Sequence, residues 1–493
     1  MGSTRGAGSW GRGSAVLAGA VLAATVVVGA VVGPARAADG DFDPSFGGGD
    51  GKVVSDLGFD DTGQGVAVQP DGRVVVAGTS CGGDFLVARY LTDGSPDPSF
   101  AGSGAVCVDV GNGSADQGEA VLVLGDGRLL VAGTSGGDFA VVRLDAAGGL
   151  DTTFGTSGRA TYDLGGTEVL RDADLAPDGK VVLTGETTAA GCVGMPGPMP
   201  GQTAGVAVVR TTADGALDAS FGDGGKAVRT SATEVHRGSA AAVQPDGAVV
   251  VAGRTASCSR VTIGALVYRL TSAGLPDPTF AAEGVFDSGP TSAVDVALQP
   301  DGKVVVLVDS FVGPATSPDH DDAFTVVRYD SAGHADGGFG TGGVARALFG
   351  PESDATPRAL ALQTGRIAVA GSVDDDSAVA RFTPGGAPDG SFAGDGTLVA
   401  DLGGADLLAA VAVQPDARLV AAGRSGPDVA VVRLGVPAPP TTEPPTTVAP
   451  PTTVAPPVVG GLLSFVCDLL RQLATLPFLG FVRDLLPTFG CAR

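Results

Sequence analysis

The stretch Asp84-Phe-Leu-Val-Ala-Arg89-Tyr-Leu-Thr-Asp-Gly-Ser-Pro-Asp97-Pro-Ser-Phe100 decides the fold. An arginine ends an apolar run, and a phenylalanine follows eleven residues later. The interval recurs as Arg89/Phe100, Arg143/Phe154, Arg210/Phe221, Arg269/Phe280, Arg328/Phe339 and Arg381/Phe392. Phe46 has no arginine before it, and Arg433 has no phenylalanine after it. Two unmatched ends that complete one another describe a ring cut open at one point.

Around this ruler each repeat offers four short strands, which in the first copy are Gly51–Leu57, Gly65–Gln69, Arg73–Gly78 and Phe85–Tyr90. Pro-Asp-Gly stands between the second and third of these at Pro70–Gly72, Pro177–Gly179, Pro245–Gly247 and Pro300–Gly302. Proline presets φ and glycine accepts a positive φ, so the tripeptide predicts a tight hairpin. A glycine six residues on closes the next strand in Gly72/Gly78, Gly127/Gly133, Gly179/Gly185, Gly247/Gly253 and Gly365/Gly371. The fifth copy has Val308 there, and the seventh starts from Ala417. A phenylalanine-to-phenylalanine period of 53 to 67 residues with four strands suits one blade of a β-propeller. A solenoid would instead have atypical caps at its two ends.

Composition sets the class. A net charge of −24 excludes a general nucleic-acid binder, which needs a basic face. Eighty glycines and 17% charged residues favour turns and short strands over helices. Residues 1–37 read as a signal peptide, with Arg5 and Arg12 before the apolar run Ser14–Gly33 and Ala35-Arg36-Ala37 as the cleavage signal. The repeats occupy residues 38–434, a Pro/Thr-rich linker follows over 435–459, and an apolar tail over 460–493 ends the chain. The tail repeats Phe465-Val-Cys-Asp-Leu-Leu as Phe481-Val-Arg-Asp-Leu-Leu, which suggests two short amphipathic helices in a hairpin. No later segment is long and uncharged enough to span a bilayer as a helix. Six cysteines in an oxidising compartment are expected to pair.

Asp43-Pro-Ser-Phe-Gly, Val66-Ala-Val-Gln-Pro-Asp-Gly-Arg-Val-Val-Val-Ala-Gly and Asp84-Phe-Leu-Val-Ala-Arg-Tyr resemble the bacterial delta-60 repeat, which is similar to NHL-type propeller repeats. The resemblance covers about four-fifths of the chain and departs from the pattern at Leu124-Gly-Asp-Gly, at Gln363-Thr-Gly and at Val308. It implies an all-β, seven-bladed propeller in which Gly65–Gln69 is innermost and the outermost strand comes from the start of the next repeat. Gly51–Leu57 then supplies the missing strand of blade seven, and Phe46 enters the slot after Arg433. The same assignment places Cys81 and Cys107 in one blade.

The recurrent arginines and the aspartates three residues before each phenylalanine (Asp43, Asp97, Asp151, Asp218, Asp277, Asp336, Asp389) serve packing, because chemistry needs an asymmetric site. A second column stands eight residues before the end of each inner strand: Asp61, Asp116, Glu168, His236, Thr291, Ala355 (beside Asp354) and Asp406. Near the channel mouth these residues could bind Ca²⁺ or a cationic ligand, or bond local backbone amides as Asx turns do. From the strand-end position to the ruler arginine the loop takes 10 or 11 residues in blades one, two, six and seven. It takes 25, 16 and 20 in blades three, four and five, so a one-sided crown is expected there. Cys192 and Cys258 lie in that crown and could staple it, while Cys467 and Cys491 bracket the tail.

Gly78-Thr-Ser-Cys-Gly and Gly133-Thr-Ser-Gly-Gly fit a nucleophile-elbow pattern, but at equivalent repeat positions and without a strand-to-helix setting. The only tryptophan, Trp10, lies in the signal peptide. The first functional reading is a secreted, monomeric, non-catalytic module without a cofactor, binding a protein, glycan or envelope component. The second is an extracellular hydrolase or lyase with an acidic, Ca²⁺-binding mouth. The third is an envelope protein displayed through its tail.

Overall fold

The computed structural model describes residues 39–435 except 112, 190–202, 232–233, 258–262, 282–290, 311–322 and 352. The segments read as a signal peptide, a linker and a tail, and Cys192, Cys258, Cys467 and Cys491, lie outside the described residues. What is described is all β, and it forms seven antiparallel sheets arranged as propeller blades. Blade one contains Thr62–Val68, Val74–Ser80, Asp84–Tyr90 and Ala105–Val108, hydrogen-bonded in that order from the channel outwards. In blade four the described residues form three strands, Glu234–Val243, Val249–Ser257 and Ile263–Leu270.

Closure follows the complementary ends. Lys52–Ser55 pairs antiparallel with the third strand of blade seven, Lys52 facing Val432 and Ser55 facing Val429. An earlier part of the N-terminus takes part as well. The Asp39 carbonyl accepts from the Ala393 amide, as the Ala147 carbonyl does from Ala101. Asp39-Gly40 thus stands where other blades have the turn after their third strand, and Gly40 takes the φ of +90° that the turn glycines share. A lengthwise closure of this kind leaves no unpaired edge between the first and last blades.

The ruler residues hold each blade to the next. In every copy the arginine Nε donates to the aspartate eight residues on, from Arg89 to Asp97 (2.8 Å) round to Arg433 and Asp43 (2.9 Å) across the closure. The guanidinium lies over the phenylalanine ring, 4.4 to 4.9 Å from its centroid. Arg89 Nη1 reaches the Ala146 carbonyl of blade two, and Arg433 Nη1 the Thr92 carbonyl of blade one. Each aspartate turns its other oxygen to the amide two residues on, as in Asp97 to Ser99 (2.9 Å). The ruler phenylalanines Phe46, Phe100, Phe154, Phe221, Phe280, Phe339 and Phe392 are all buried. They pack in successive hydrophobic clusters: Phe154 with Leu183 and Val209, Phe221 with Val251 and Leu266, Phe280 with Val306 and Val327. Phe339 likewise packs with Val369 and Phe382, and Phe392 with Leu419 and Val432. Aromatic and β-branched side chains suit such packing because both faces of each sheet are covered.

The strand-end glycine has a steric cause. A Cβ on Gly133 would run into the Gln117 carbonyl of the inner strand and lie 2.6 Å from the Phe85 ring of the preceding blade. Inner strands also begin earlier than the sequence reading placed them, at Thr62 rather than Gly65. The reason is a β-bulge, found in all seven, where a residue such as Gln64 is skipped in the pairing with the second strand.

Cys81, in the turn after the second strand of blade one, is bridged to Cys107 on the outer strand, with Cα atoms 6.4 Å apart. The bond closes a 26-residue separation. Cys81→Ser with Cys107→Ser is therefore expected to lower stability by about 3 kcal/mol, read as an earlier urea midpoint with unchanged slope. Equal midpoints with and without reductant in the parent would overturn this.

Candidate functional site

The inner strands surround a channel of about 250 Å³. That is below the roughly 300 to 1,000 Å³ of ordinary small-molecule sites. Its wall alternates small apolar residues with the bulge residues Gln64, Glu119, Arg171 and Arg358, and most of the surface it exposes is polar. Two further carboxylates, Asp172 and Asp295, lie half-buried on the same wall. Asp172 accepts from the Ala241 amide of the next blade (2.8 Å), and Asp295 from the Leu360 amide (2.7 Å). Burial pushes Asp172 up to about 6 and Asp295 to about 7. Burial likewise raises Glu119 to about 7, against the pull of Arg171.

The ruler residues belong to the core and to no site. Phe154, Phe221, Phe280, Phe339 and Phe392 lie between blades with at most 4% of their surface exposed, as Phe46 and Phe100 do, so no ligand reaches them. Arg143, Arg210, Arg269 and Arg328 spend their donors on the ruler aspartate and on a carbonyl of the following blade, leaving no guanidinium turned to solvent for binding.

None of the second-column residues lines the channel either. Asp116, Glu168 and Asp406 are the first residues of inner strands Asp116–Val123, Glu168–Leu175 and Asp406–Val413, while Asp61 immediately precedes Thr62–Val68. All four are buried and bond local backbone: Asp61 accepts from Leu57 N (2.7 Å), Asp116 from Val110 N (2.6 Å) and Glu168 from Gly166 N (3.0 Å), with Leu402 N bonded to Asp406. His236 Nε2 lies 3.0 Å from Glu234, and exposed Asp354 donates its amide to Asp374. The column does not converge on itself.

Four of its members converge instead with carboxylates on the preceding blade. The groups are Asp56/Asp61/Asp428, Asp84/Asp109/Asp116, Asp138/Asp163/Glu168 and Asp376/Asp401/Asp406, and within each group ligand oxygens lie within 4.8 Å of one another. Each takes one residue from the start of a third strand, one just beyond an outer strand, and the head of the next blade's inner strand. Burial, then Asp109 and Asp116, raise the pKa of Asp84; burial, then Asp163 and Glu168, raise that of Asp138. The third-strand member was visible in the sequence as an aspartate five residues before the ruler arginine, and it was missed. It is present in blades one, two, six and seven, where the turns are short, and is Gly205, Gly264 or Ala323 in the other three.

The rest of this face is built differently. The second strands of blades three and four, Val181–Ala189 and Val249–Ser257, have nine residues against seven in blades one, two and seven. Beside them Arg171 Nη2 lies 3.1 Å and Arg237 Nη1 3.0 Å from the buried Glu186 carboxylate. Arg254 faces Arg237 across the strand pair, and burial together with Arg237 lowers its pKa. This basic cluster was not read from the sequence, because its members come from three strands.

Residues 69–100, 124–154 and 362–392 match the family model described as "Domain of unknown function (DUF5122) beta-propeller". Each match runs from the hairpin turn through the second and third strands to the ruler phenylalanine, Phe100, Phe154 or Phe392. No curated protein matches the chain. Among solved structures, the WD40 propeller domain of Doa1 is 15% identical with a TM-score of 0.42, over 77% of this chain and 94% of that one. YCF48 from Cyanidioschyzon merolae is 12% identical with a TM-score of 0.40, over 78% and 98%. The calcium-binding protein regucalcin from Agrobacterium tumefaciens is 15% identical with a TM-score of 0.32, over 63% and 81%. Among the described residues no helix is long and apolar enough to cross a membrane. With seven blades closed by its own N-terminal strand, the chain is a β-propeller protein.

Proposed function

We propose that the chain is an exported, non-catalytic propeller that binds a ligand bearing carboxylate or sulfate groups beside blades three and four. The observation that carries the reading is the cluster of Arg171, Arg237 and Arg254 around Glu186, a basic island in a chain of net charge −24. A guanidinium presents five N–H donors in a planar fork, so one shared carboxylate leaves donors for a second anion. The second strands of blades three and four are lengthened, and the sequence between second and third strands is longer in blades three to five, which suits a bound partner. Export is supported by the signal-like N-terminus and the Cys81–Cys107 bridge. A hydrolase or lyase reading at the second column finds less support, since Asp61, Asp116, Glu168 and Asp406 cap local amides. Calcium is the cofactor class that the acidic junctions on the same face suit.

Binding is measured by fluorescence anisotropy with labelled polyuronate oligosaccharides, sulfated oligosaccharides and poly-glutamate peptides. One of these is expected to bind, more weakly as salt rises, and at least about tenfold more weakly to Arg171→Glu/Arg237→Glu. Equal affinity of the variant, or no binding of any anionic probe, overturns the reading.

A further inference from the structure

We propose that the junctions between blades two and three and between blades six and seven are Ca²⁺ sites that staple neighbouring blades. Glu168 and Asp406 head the inner strands of blades three and seven, and both are at least 98% buried. Glu168 Oε1 accepts from Thr187 (2.7 Å) and Gly166 N (3.0 Å), yet its Oε2 receives no N–H or hydroxyl. Asp406 Oδ2 takes the Leu402 amide, yet its Oδ1 receives none either. A buried carboxylate oxygen without a donor is costly unless a positive charge faces it.

Beside each of these carboxylates stands further negative charge. Asp138 and Asp163 approach Glu168, and Asp376 and Asp401 approach Asp406, with ligand oxygens within 4.8 Å of one another. Two ligands of one Ca²⁺, each at about 2.3 to 2.6 Å, stand no more than about 5 Å apart, so the oxygens of each group are within reach of a single ion. Mg²⁺ demands six near-octahedral positions and keeps several of its waters, so a cluster of three protein carboxylates suits Ca²⁺ better. Three carboxylates and water fill a Ca²⁺ shell of about six to eight oxygens.

The other two junctions supply the contrast. Asp61 shares a hydroxyl hydrogen with Ser80 and accepts from Leu57 N, while Asp116 accepts from Ser114 Oγ (2.8 Å) and Val110 N. Both oxygens of each are occupied, so the same acidic framework is satisfied there by hydroxyls. Asp138 and Asp376 come from the blade before the junction, and Glu168 and Asp406 from the blade after it. A bound ion therefore ties blade to blade on the upper face. The sites are independent of the anionic-ligand reading, because they use none of its arginines.

The test takes the full chain, stripped with chelator and dialysed, and titrates it with CaCl₂ by calorimetry while melts are recorded with and without Ca²⁺. Two equivalents of Ca²⁺ are expected to bind, with Kd on the order of 10⁻⁵ to 10⁻³ M, and to raise the melting temperature. Asp138→Asn/Asp376→Asn should remove both equivalents and the Ca²⁺-dependent rise. The same variant should melt at or above the parent temperature in chelator, because it removes a repelling carboxylate at each junction. Asp84→Asn should leave the stoichiometry at two. Absence of Ca²⁺ binding in the parent overturns the proposal, and so does binding that survives in the double variant. A stoichiometry that falls in Asp84→Asn instead assigns the ion to the wrong junction and overturns it equally.

Discussion

Removal of residues 39–57 is expected to abolish the cooperative melting transition. The segment carries the outer strand of blade seven, Lys52–Ser55, and with it the pairing to Val429–Val432. It also carries Phe46, which is fully buried beneath Arg433 and packs with Val74, Val76, Leu86 and Tyr90 of blade one. Losing a buried phenylalanine costs about 3 to 5 kcal/mol, and stripping a buried arginine of its carboxylate costs a similar amount. Two arginines lose carboxylate partners at once, Arg433 losing Asp43 and Arg381 losing Asp39. The sum reaches the roughly 5 to 15 kcal/mol that a whole domain commands, before the two exposed sheet edges are considered. The measurement is circular dichroism against temperature, paired with a permuted chain that begins at Asp61 and carries residues 39–57 after Gly435. The permuted chain should melt cooperatively, because closure depends on the strand being present and not on its place in the sequence. A truncated chain that keeps a steep transition within a few degrees of the parent would remove the closure argument.

The architecture was legible because each blade solves the same packing problem with the same residues. Arg89, Asp97 and Phe100 are eight and eleven residues apart, so a single pass along the chain finds them, and their contacts fall within one blade and its neighbour. The ring closure was legible for the same reason, as Phe46 and Arg433 are the two halves of one copy. The bulges were not legible, because the residues that flank them differ: Gly63 in blade one, Leu170 in blade three, Pro357 in blade six. A bulge is set by the crowding of seven inner strands around a narrow channel, which no single strand encodes.

The acidic junctions lie between these cases. Asp138, Asp163 and Glu168 come from three separate segments of two blades, and only the third was singled out when one strand was compared across the repeats. Reading its column alone suggested a ring around the channel mouth. Burial and local amide bonds instead hold each carboxylate at its own junction, with its partners on the blade before. The short turn that brings an aspartate to the head of a third strand is absent from blades three to five. Third-strand aspartates and long second-to-third-strand segments therefore exclude one another around the ring.

Asp39→Ala is expected to cost about 3 kcal/mol, although the residue lies outside every repeat recognised from the ruler. Its Oδ1 accepts from Arg381 Nη1 at 2.7 Å, and its Oδ2 pairs with Nη2 of the same side chain. In other blades this nitrogen meets a backbone carbonyl of the next blade, as Arg328 meets Pro384 and Arg269 meets Ser331. Among the described residues Arg381 Nη1 meets the Asp39 carboxylate where the other blades use that carbonyl. Asp39 fills the place with a full charge, buried with Arg381, whose side chain is 2% exposed. Removing the carboxylate leaves the guanidinium with Asp389, Gln363 and Ser391 but one negative charge short. Urea denaturation should show the loss in Asp39→Ala, and Arg381→Ala/Asp39→Ala should cost less than the sum of the single changes, since the two side chains act as one pair. Additive losses, or a change below about 1 kcal/mol in Asp39→Ala, would show that the blade-six junction holds without its charged clasp.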